Sequence, residues 1–188
     1  AEKGLTIPLV RVKLAEGGHK TPEFLAKNSL GQIPVLELDD GSTISETVSI
    51  CRYLEALYPT PALFGTTPKD IGLIDMWIRR VELQIMSQIG NVWINSHKYT
   101  ESYAEKFGIK RFPDYGEESR KRAVGRFYWL DGEIAGRDFI AGDDYSMADI
   151  TALTVIDFAG FIGIPLPERC ENLKAWHDRV SSRPSAKA

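Results

Sequence analysis

The stretch Asn28-Ser-Leu-Gly-Gln-Ile33-Pro34-Val-Leu-Glu-Leu-Asp-Asp40-Gly-Ser-Thr-Ile-Ser45-Glu46-Thr47 constrains the fold of this chain more than any other. Pro34 stands at the mouth of Val35-Leu-Glu-Leu38, an alternating run of the kind that forms a half-buried strand. Proline lacks an N–H and is confined to the start or the edge of a sheet. The Ile33–Pro34 bond reads as cis, since an X-Pro bond gives up only about 0.5–1 kcal/mol in that form. A cis bond there turns the N–H and C=O of Ile33 away from the sheet, toward an extended peptide. Asp39-Asp40-Gly41 then closes a tight turn onto the second strand, Ser42–Ile44. Ser45, Glu46 and Thr47 open a helix running to Leu57, with Ser45 as its cap. The free N–H groups and positive dipole end of that helix suit a carboxylate.

The rest of the first third is short elements. Leu9–Leu14 alternates and is β-branched, which predicts a strand, and Glu16-Gly-Gly18 a loop. Thr21 followed by Pro22 predicts a helix start, with the helix reaching about Lys27. Ala1-Glu-Lys-Gly4 reads as the last turn of a helix with a glycine C-cap. Tyr58-Pro-Thr-Pro61-Ala-Leu-Phe-Gly65 is a linker of breakers and apolar anchors, which places domains at 1–62 and 68–188.

Beyond the linker the pattern is helical. Ile74, Trp77, Ile78, Val81, Ile85, Ile89 and Val92 keep helical spacing, Tyr99–Gly116 is polar and irregular or only partly helical, and Ala123, Phe127, Leu130 and Ile134 mark a second helix. Ser146 with Asp149 makes a capping box, and Tyr145 and Ile150 occupy staple positions. The helix it starts, about Met147–Phe161, is almost wholly apolar and is expected at the domain's centre, so Asp149 reads as a cap. Asn172–Arg183 closes the chain. A β-rich third followed by helices is an α+β arrangement. The net charge of −3, from 23 basic and 26 acidic residues, leaves no basic footprint for nucleic acid. No run of eighteen apolar residues is present, which argues against a membrane span. Cys51 and Cys170 lie far apart in helical patterns and read as core thiols in a reducing, cytoplasmic setting.

The Asn28-x-x-Gly31-x-Ile33-Pro34 turn, the Glu46-Thr47 pair, Ser146-Met-Ala-Asp149 and the closing Trp176…Arg183-Pro184 resemble the glutathione transferase family. Glu16-Gly-Gly-His19-Lys20-Thr-Pro22-Glu-Phe-Leu-Ala-Lys-Asn28 is similar to theta- and delta-like bacterial members and to a fungal subgroup that works without the usual catalytic hydroxyl. The resemblance implies a thioredoxin-like domain joined to an all-helical domain, with the first strand and most of a helix, about 15–20 residues, lying before Ala1. The small sheet would then be a three-stranded remnant, and the usual thiol-activating residue would lie in the preceding segment. A homodimer is the expected assembly.

Residue by residue, the resemblance assigns glutathione binding to Ile33 and Pro34 (backbone pairing with the cysteinyl unit), Glu46 (the γ-glutamyl ammonium) and Thr47 (its carboxylate). His19 matches a position touching the glycyl carboxylate, with Lys20 and Gln32 as further donors. Two family features differ here: Gly31 replaces a histidine and Val48 an arginine, so their contacts are absent. Similarity to the fungal subgroup implies that His97, with Ser96 or a water, helps to activate the thiol; the helix dipole alone also accounts for a histidine at that end. Tyr99 and Tyr103 are candidates for the second-substrate pocket, and Arg79 and Arg80 for a subunit contact. The implied reaction is conjugation of the glutathione thiol to small hydrophobic electrophiles, with glutathione as co-substrate and no metal. Glutathione-dependent disulfide or peroxide reduction and a non-catalytic binding module are the alternatives.

Overall fold

The structure is a computed structural model that describes residues 1–187; Ala188, the last residue of the expected second domain, lies outside them. The chain divides into two compact units, Ala1–Ala62 and Leu63–Ala188.

In the first unit, single 3-10 turns at Leu14–Glu16 and Gly18–Lys20 lead into helix α1 (Pro22–Lys27). Strands β1 (Val35–Glu37) and β2 (Thr43–Ser45) and helix α2 (Thr47–Leu57) follow. The Thr21 hydroxyl accepts the Phe24 N–H at 3.3 Å, which with Pro22 at the first helical position fixes where α1 starts. β1 and β2 are antiparallel, pairing Val35 with Ser45, Leu36 with Ile44 and Glu37 with Thr43. Their turn is held by Asp40, whose carboxylate accepts both the N–H (2.9 Å) and the hydroxyl (2.6 Å) of Ser42. Those bonds hold the Asp40 carboxyl below its usual range. Gly41, at φ 83°, supplies the left-handed residue that the turn needs. The sheet is tied to α1 by a Lys27–Glu37 ion pair and by the Thr43 hydroxyl donating to the Lys27 carbonyl at 2.8 Å. At the far end of α2, the Lys3 ammonium donates to the carbonyls of Tyr58 and Pro61, 2.7 Å each, and pairs with Glu55.

Two expectations are corrected here. Leu9–Leu14 is not a strand, and the sheet among the described residues has two strands rather than three. Alternation prepares a segment for a ladder, but a strand exists only where a neighbour accepts its N–H and C=O groups. Here Leu9 and Val10 stand 93% and 91% exposed. Helix α2 begins one residue late, with Glu46 rather than Ser45 at the cap position, because Ser45 is the last residue of the β2 ladder.

In the second unit, α3 (Pro68–Arg80), a π-helical turn (Val81–Met86) and α4 (Ser87–Asn95) form one continuous helical run. Then come a 3-10 turn (Lys98–Thr100), α5 (Glu101–Lys106), α6 (Pro113–Glu133), α7 (Met147–Phe161) and α8 (Glu171–Ser181). Trp77, Ile78, Val81, Ile85, Ile89 and Val92 are buried, as are Phe127, Leu130, Ile156, Leu173 and Trp176 from the later helices. The Ser146–Asp149 capping box is present in both directions, and α7 takes the central place that its apolar sequence requires. Arg79 and Arg80 reach Glu82 and Glu133 of the same chain, at 3.1 and 3.8 Å.

The polar segment is partly helical, with α5 inside it, but the helix that follows starts earlier than its apolar positions mark. α6 starts at Pro113, well before its first apolar face residue at Ala123, because the start is anchored from outside the helix. The Asn95 side-chain carbonyl accepts the Phe112 N–H at 3.0 Å, and Pro113 sits at the first helical position. Cys170 is a buried cap residue of α8 rather than a helical position, and the closing helix ends at Ser181. α4 and α6 approach so closely at Gly116 that an added Cβ would stand 2.6 Å from Ser96 Oγ and 2.8 Å from Ser96 Cβ. Gly116→Ala is therefore expected to destabilise the protein by about 1–3 kcal/mol through overpacking. A lowered urea midpoint at unchanged slope is the check, and an unchanged midpoint would mean that the two helices part freely.

Candidate functional site

The Asn28–Pro34 turn is built from the inside. Asn28 is buried, and its amide spans the turn, donating to the Gln32 carbonyl (2.8 Å) and accepting the Leu30 N–H (3.2 Å). Gly31 at φ 60° lets two further groups close on it: an added Cβ would lie 2.7 Å from Lys20 Nζ and 2.8 Å from the His19 carbonyl. The Lys20 ammonium donates to the carbonyls of Leu30 and Gly31, at 3.2 and 3.4 Å. His19 is buried, at 3% exposure, so it packs beneath the turn rather than standing in a solvated loop. Both residues thus brace the turn that presents Gln32, Ile33 and Pro34, all exposed.

The Ile33–Pro34 bond is cis. The ladder begins only at Val35, and among the described residues neither the N–H nor the C=O of Ile33 has a hydrogen-bond partner. An exposed backbone donor and acceptor beside a strand end can pair with one extended residue of a peptide. Glu46 is exposed at the start of α2 and is the only non-glycine with positive φ among the described residues, at φ 70° and ψ 120°. Its side chain makes no capping bond, while its carbonyl accepts the Ile50 N–H at 3.0 Å. The amides that open α2 are therefore uncapped by Glu46, and the exposed Thr47 hydroxyl lies among them. The structure thus places in one unit a free backbone pair, a carboxylate without a local structural partner, and a helix start able to hold an anion.

In the second unit, His97 follows the end of α4. Its Nδ1 accepts the Tyr99 N–H at 3.4 Å, which assigns the proton of the neutral ring to Nε2. Partial burial, then the charges of Lys98, Arg120 and Arg111, push the imidazole below its usual 6.5, so it is neutral at pH 7. Its ring stacks on Trp93 (4.9 Å between centroids) and meets Tyr99 edge-on (4.9 Å). Trp93 also contacts Phe158 and Phe161, and Tyr99 contacts Phe161, at 5.3, 6.3 and 6.0 Å. The result is an aromatic face with Phe161 63% and Tyr99 59% exposed, unlike the buried Trp77, Phe127 and Trp176. Tyr103 is outside it, paired with Phe107. The Ser96 hydroxyl donates to the Val92 carbonyl at 3.1 Å and packs against Gly116. Its proton is therefore committed to the end of α4.

Sequence reasoning did not single out Asn28, Trp93, Phe158 and Phe161 as site-building residues. The Asn-x-x-Gly spacing carried the signal for Asn28. The two phenylalanines were hidden inside a helix that is almost wholly apolar.

Comparison with known proteins meets this geometry. Residues 1–57 match the family model "Glutathione S-transferase, N-terminal domain", and residues 102–184 match "Glutathione S-transferase, C-terminal domain". The chain is 39% identical over 189 residues to glutathione S-transferase 2 of Saccharomyces cerevisiae, covering 100% of this chain and 80% of that one. The crystal structure of Gtt2 from the same yeast superposes with a TM-score of 0.87 at 39% identity, covering 95% of this chain and 84% of that one. A theta class transferase from Xanthomonas axonopodis pv. citri, solved with glutathione bound, gives a TM-score of 0.81 at 25% identity, over 99% and 85% of the two chains. The thioredoxin-like first unit and helical second unit, the two family-model matches and the 39% identity to the yeast relative together show that the chain belongs to the glutathione S-transferase family.

Proposed function

We propose that this chain binds glutathione on its first unit and conjugates it, through its thiol sulfur, to small hydrophobic electrophiles. One observation carries the reading: Glu46 is held exposed, in a backbone conformation that side chains avoid, with no structural task for its carboxylate. In the proposed complex that carboxylate pairs with the γ-glutamyl ammonium, and Thr47 with the amides opening α2 holds the neighbouring carboxylate. Ile33 pairs with the cysteinyl backbone beside Pro34, and Gln32 and Lys20 serve the glycyl end. His19 acts there as a brace, in keeping with its burial.

Free thiols are poor nucleophiles at neutral pH because only a few per cent is thiolate. In this reading His97, with Ser96 holding the end of α4, assists thiol activation. The neutral ring has Nε2–H free to donate while Nδ1 accepts from Tyr99. Protonation would set Nδ1–H against the Tyr99 N–H, two donors facing, and drive the ring from its place. The His97 pKa is lowered, so the ring charges only as the pH drops below 6.5. The acid limb of kcat/KM, which reports the free protein, is therefore expected below pH 6.5, and His97→Asn should abolish that limb. The exposed rings of Tyr99 and Phe161 support a hydrophobic second substrate. A homodimer in the cytoplasm belongs to the same reading, and light scattering tests the assembly.

Calorimetric titration with glutathione, followed by assays of conjugation and of disulfide reduction, tests the function. Binding with conjugation is expected. Binding with disulfide or peroxide reduction alone would replace the reaction but keep the site, and no binding at millimolar glutathione would overturn both.

A further inference from the structure

We propose that Arg111 is a positioning residue for His97, its guanidinium fastening the end of α4 so that the imidazole is held against Trp93. The segment after α4 leaves helical geometry at Ser96 and turns through His97 into the 3-10 turn at Lys98. A chain end of this kind has carbonyls without intrahelical partners, and nothing in the local sequence caps them with a glycine. Arg111 answers one of them, at Ile94, and also holds the turn that follows through the His97 carbonyl, which accepts the Thr100 N–H as well. Its Nε donates to the Ile94 carbonyl at 3.0 Å and its Nη2 to the His97 carbonyl at 2.8 Å. The side chain is only 18% exposed, and Nη1 stands 3.9 Å from a Glu101 carboxylate oxygen. The Thr100 hydroxyl closes the same knot, with contacts to the carbonyls of Trp93 and His97 at 2.5 and 2.8 Å.

The arginine is itself held by the next residue. Phe112 N–H donates to the Asn95 side chain, so the loop carrying Arg111 is pinned to α4 beside the guanidinium as well as through it. A cation at a helix C-terminus is also favoured by the dipole. Only a planar fork reaches two carbonyls three residues apart in this way, and lysine, a single point charge, would reach one. With the backbone of residues 94–97 fixed, the imidazole has its stacking partner (Trp93), its Nδ1 donor (Tyr99 N–H) and its charged surroundings set together. Those surroundings are Lys98 on its own turn, Arg120 from α6, which also donates to the Gly163 carbonyl at 3.0 Å and pairs with Glu117, and Arg111 paired with Glu101.

This inference rests on the reading that His97 assists thiol activation, and the test separates the two. Arg111→Met, Arg111→Lys and His97→Asn are compared in the intact protein. The steady-state measurement varies glutathione with one aromatic electrophile. The NMR measurement follows the imidazole protons, which the three histidines make assignable. For Arg111→Met, kcat is expected to fall about 10-fold with the KM for glutathione within about twofold, as for a misplaced catalytic group. The ring-current shift that Trp93 imposes on the His97 resonance should shrink in parallel. Arg111→Lys should lie between, since it keeps the charge but loses the fork. Unchanged His97 resonances in Arg111→Met overturn the inference whatever the rates do. Changed resonances with an unaffected kcat in His97→Asn keep Arg111 as the positioner and remove the catalytic reading of His97. Should Arg111→Met fail to fold, the Arg111→Lys spectrum decides.

Discussion

Replacing Asp149 by alanine is expected to lower the stability of this protein by about 4 kcal/mol or more, well beyond the effect of Gly116→Ala. The carboxylate is fully buried and collects donors from three parts of the second unit. Its Oδ1 accepts the Ile140 N–H and the Trp176 indole N–H, both at 2.8 Å, and Oδ2 accepts the Ser146 N–H at 2.9 Å and hydroxyl at 3.2 Å. Burial pushes its carboxyl above the usual range, and those donors offset only part of the rise. Alanine would leave three buried N–H groups unpaired, each costing about 1–3 kcal/mol. The start of α7, the loop at Ile140 and the packing of α8 would loosen together. Against a total of about 5–15 kcal/mol, such a loss lowers the midpoint of thermal unfolding by on the order of 10 °C. Asp149→Asn keeps one carbonyl for Ile140 and Trp176 but sets an NH2 against the Ser146 N–H. It should fall between wild type and alanine. Urea unfolding followed by tryptophan fluorescence measures both, with Trp176 reporting from the affected site. A loss below about 1 kcal/mol for the alanine variant would mean that water replaces the carboxylate, contrary to the packing described.

That box was legible in the sequence because it is local: cap, acid and apolar run lie within a few residues, and the helix they start is found at Met147–Phe161. The Thr21-Pro22 start of α1 and the turn at Gly41 were readable for the same reason. Features set by distant partners were not. Leu9–Leu14 has the alternation of a strand, yet strand formation depends on a neighbour that local pattern cannot specify. The start of α6 is fixed by Asn95, seventeen residues before Phe112, and by the contact of Gly116 with Ser96, so its polar first turns read as irregular. The π-helical turn at Val81–Met86 left no mark, because the apolar positions on either side keep helical spacing. In the candidate site, Ile33, Pro34, Glu46 and Thr47 stood out from their motif. The burial of His19 beneath Gly31 and the hold of Arg111 on His97 required three dimensions.

Glu46→Gly is expected to separate stability from binding. At φ 70° and ψ 120° a side chain carries a conformational cost of about 1–3 kcal/mol, which glycine avoids. Glycine in turn makes the unfolded chain more flexible, worth about 0.5–1 kcal/mol. No capping bond is lost, since the Glu46 side chain makes none. The folded protein should therefore be as stable as wild type or up to about 2 kcal/mol more so. Its affinity for glutathione should fall, because a charge-assisted hydrogen bond to the ammonium is worth about 1.5–3 kcal/mol, on the order of 10- to 150-fold in Kd. Glu46→Gln keeps the strained backbone and loses only the charge, so it should match wild type in stability and approach glycine in binding. Calorimetry with glutathione and urea unfolding of the three proteins supply the numbers. A glycine variant that binds as tightly as wild type would remove Glu46 from the site. One that loses stability would show that the left-handed conformation serves the helix rather than a ligand. Gained stability with lost binding is the signature of backbone strain kept for recognition: selection has no reason to hold a carboxylate in that conformation at the start of α2 unless the ligand needs it there.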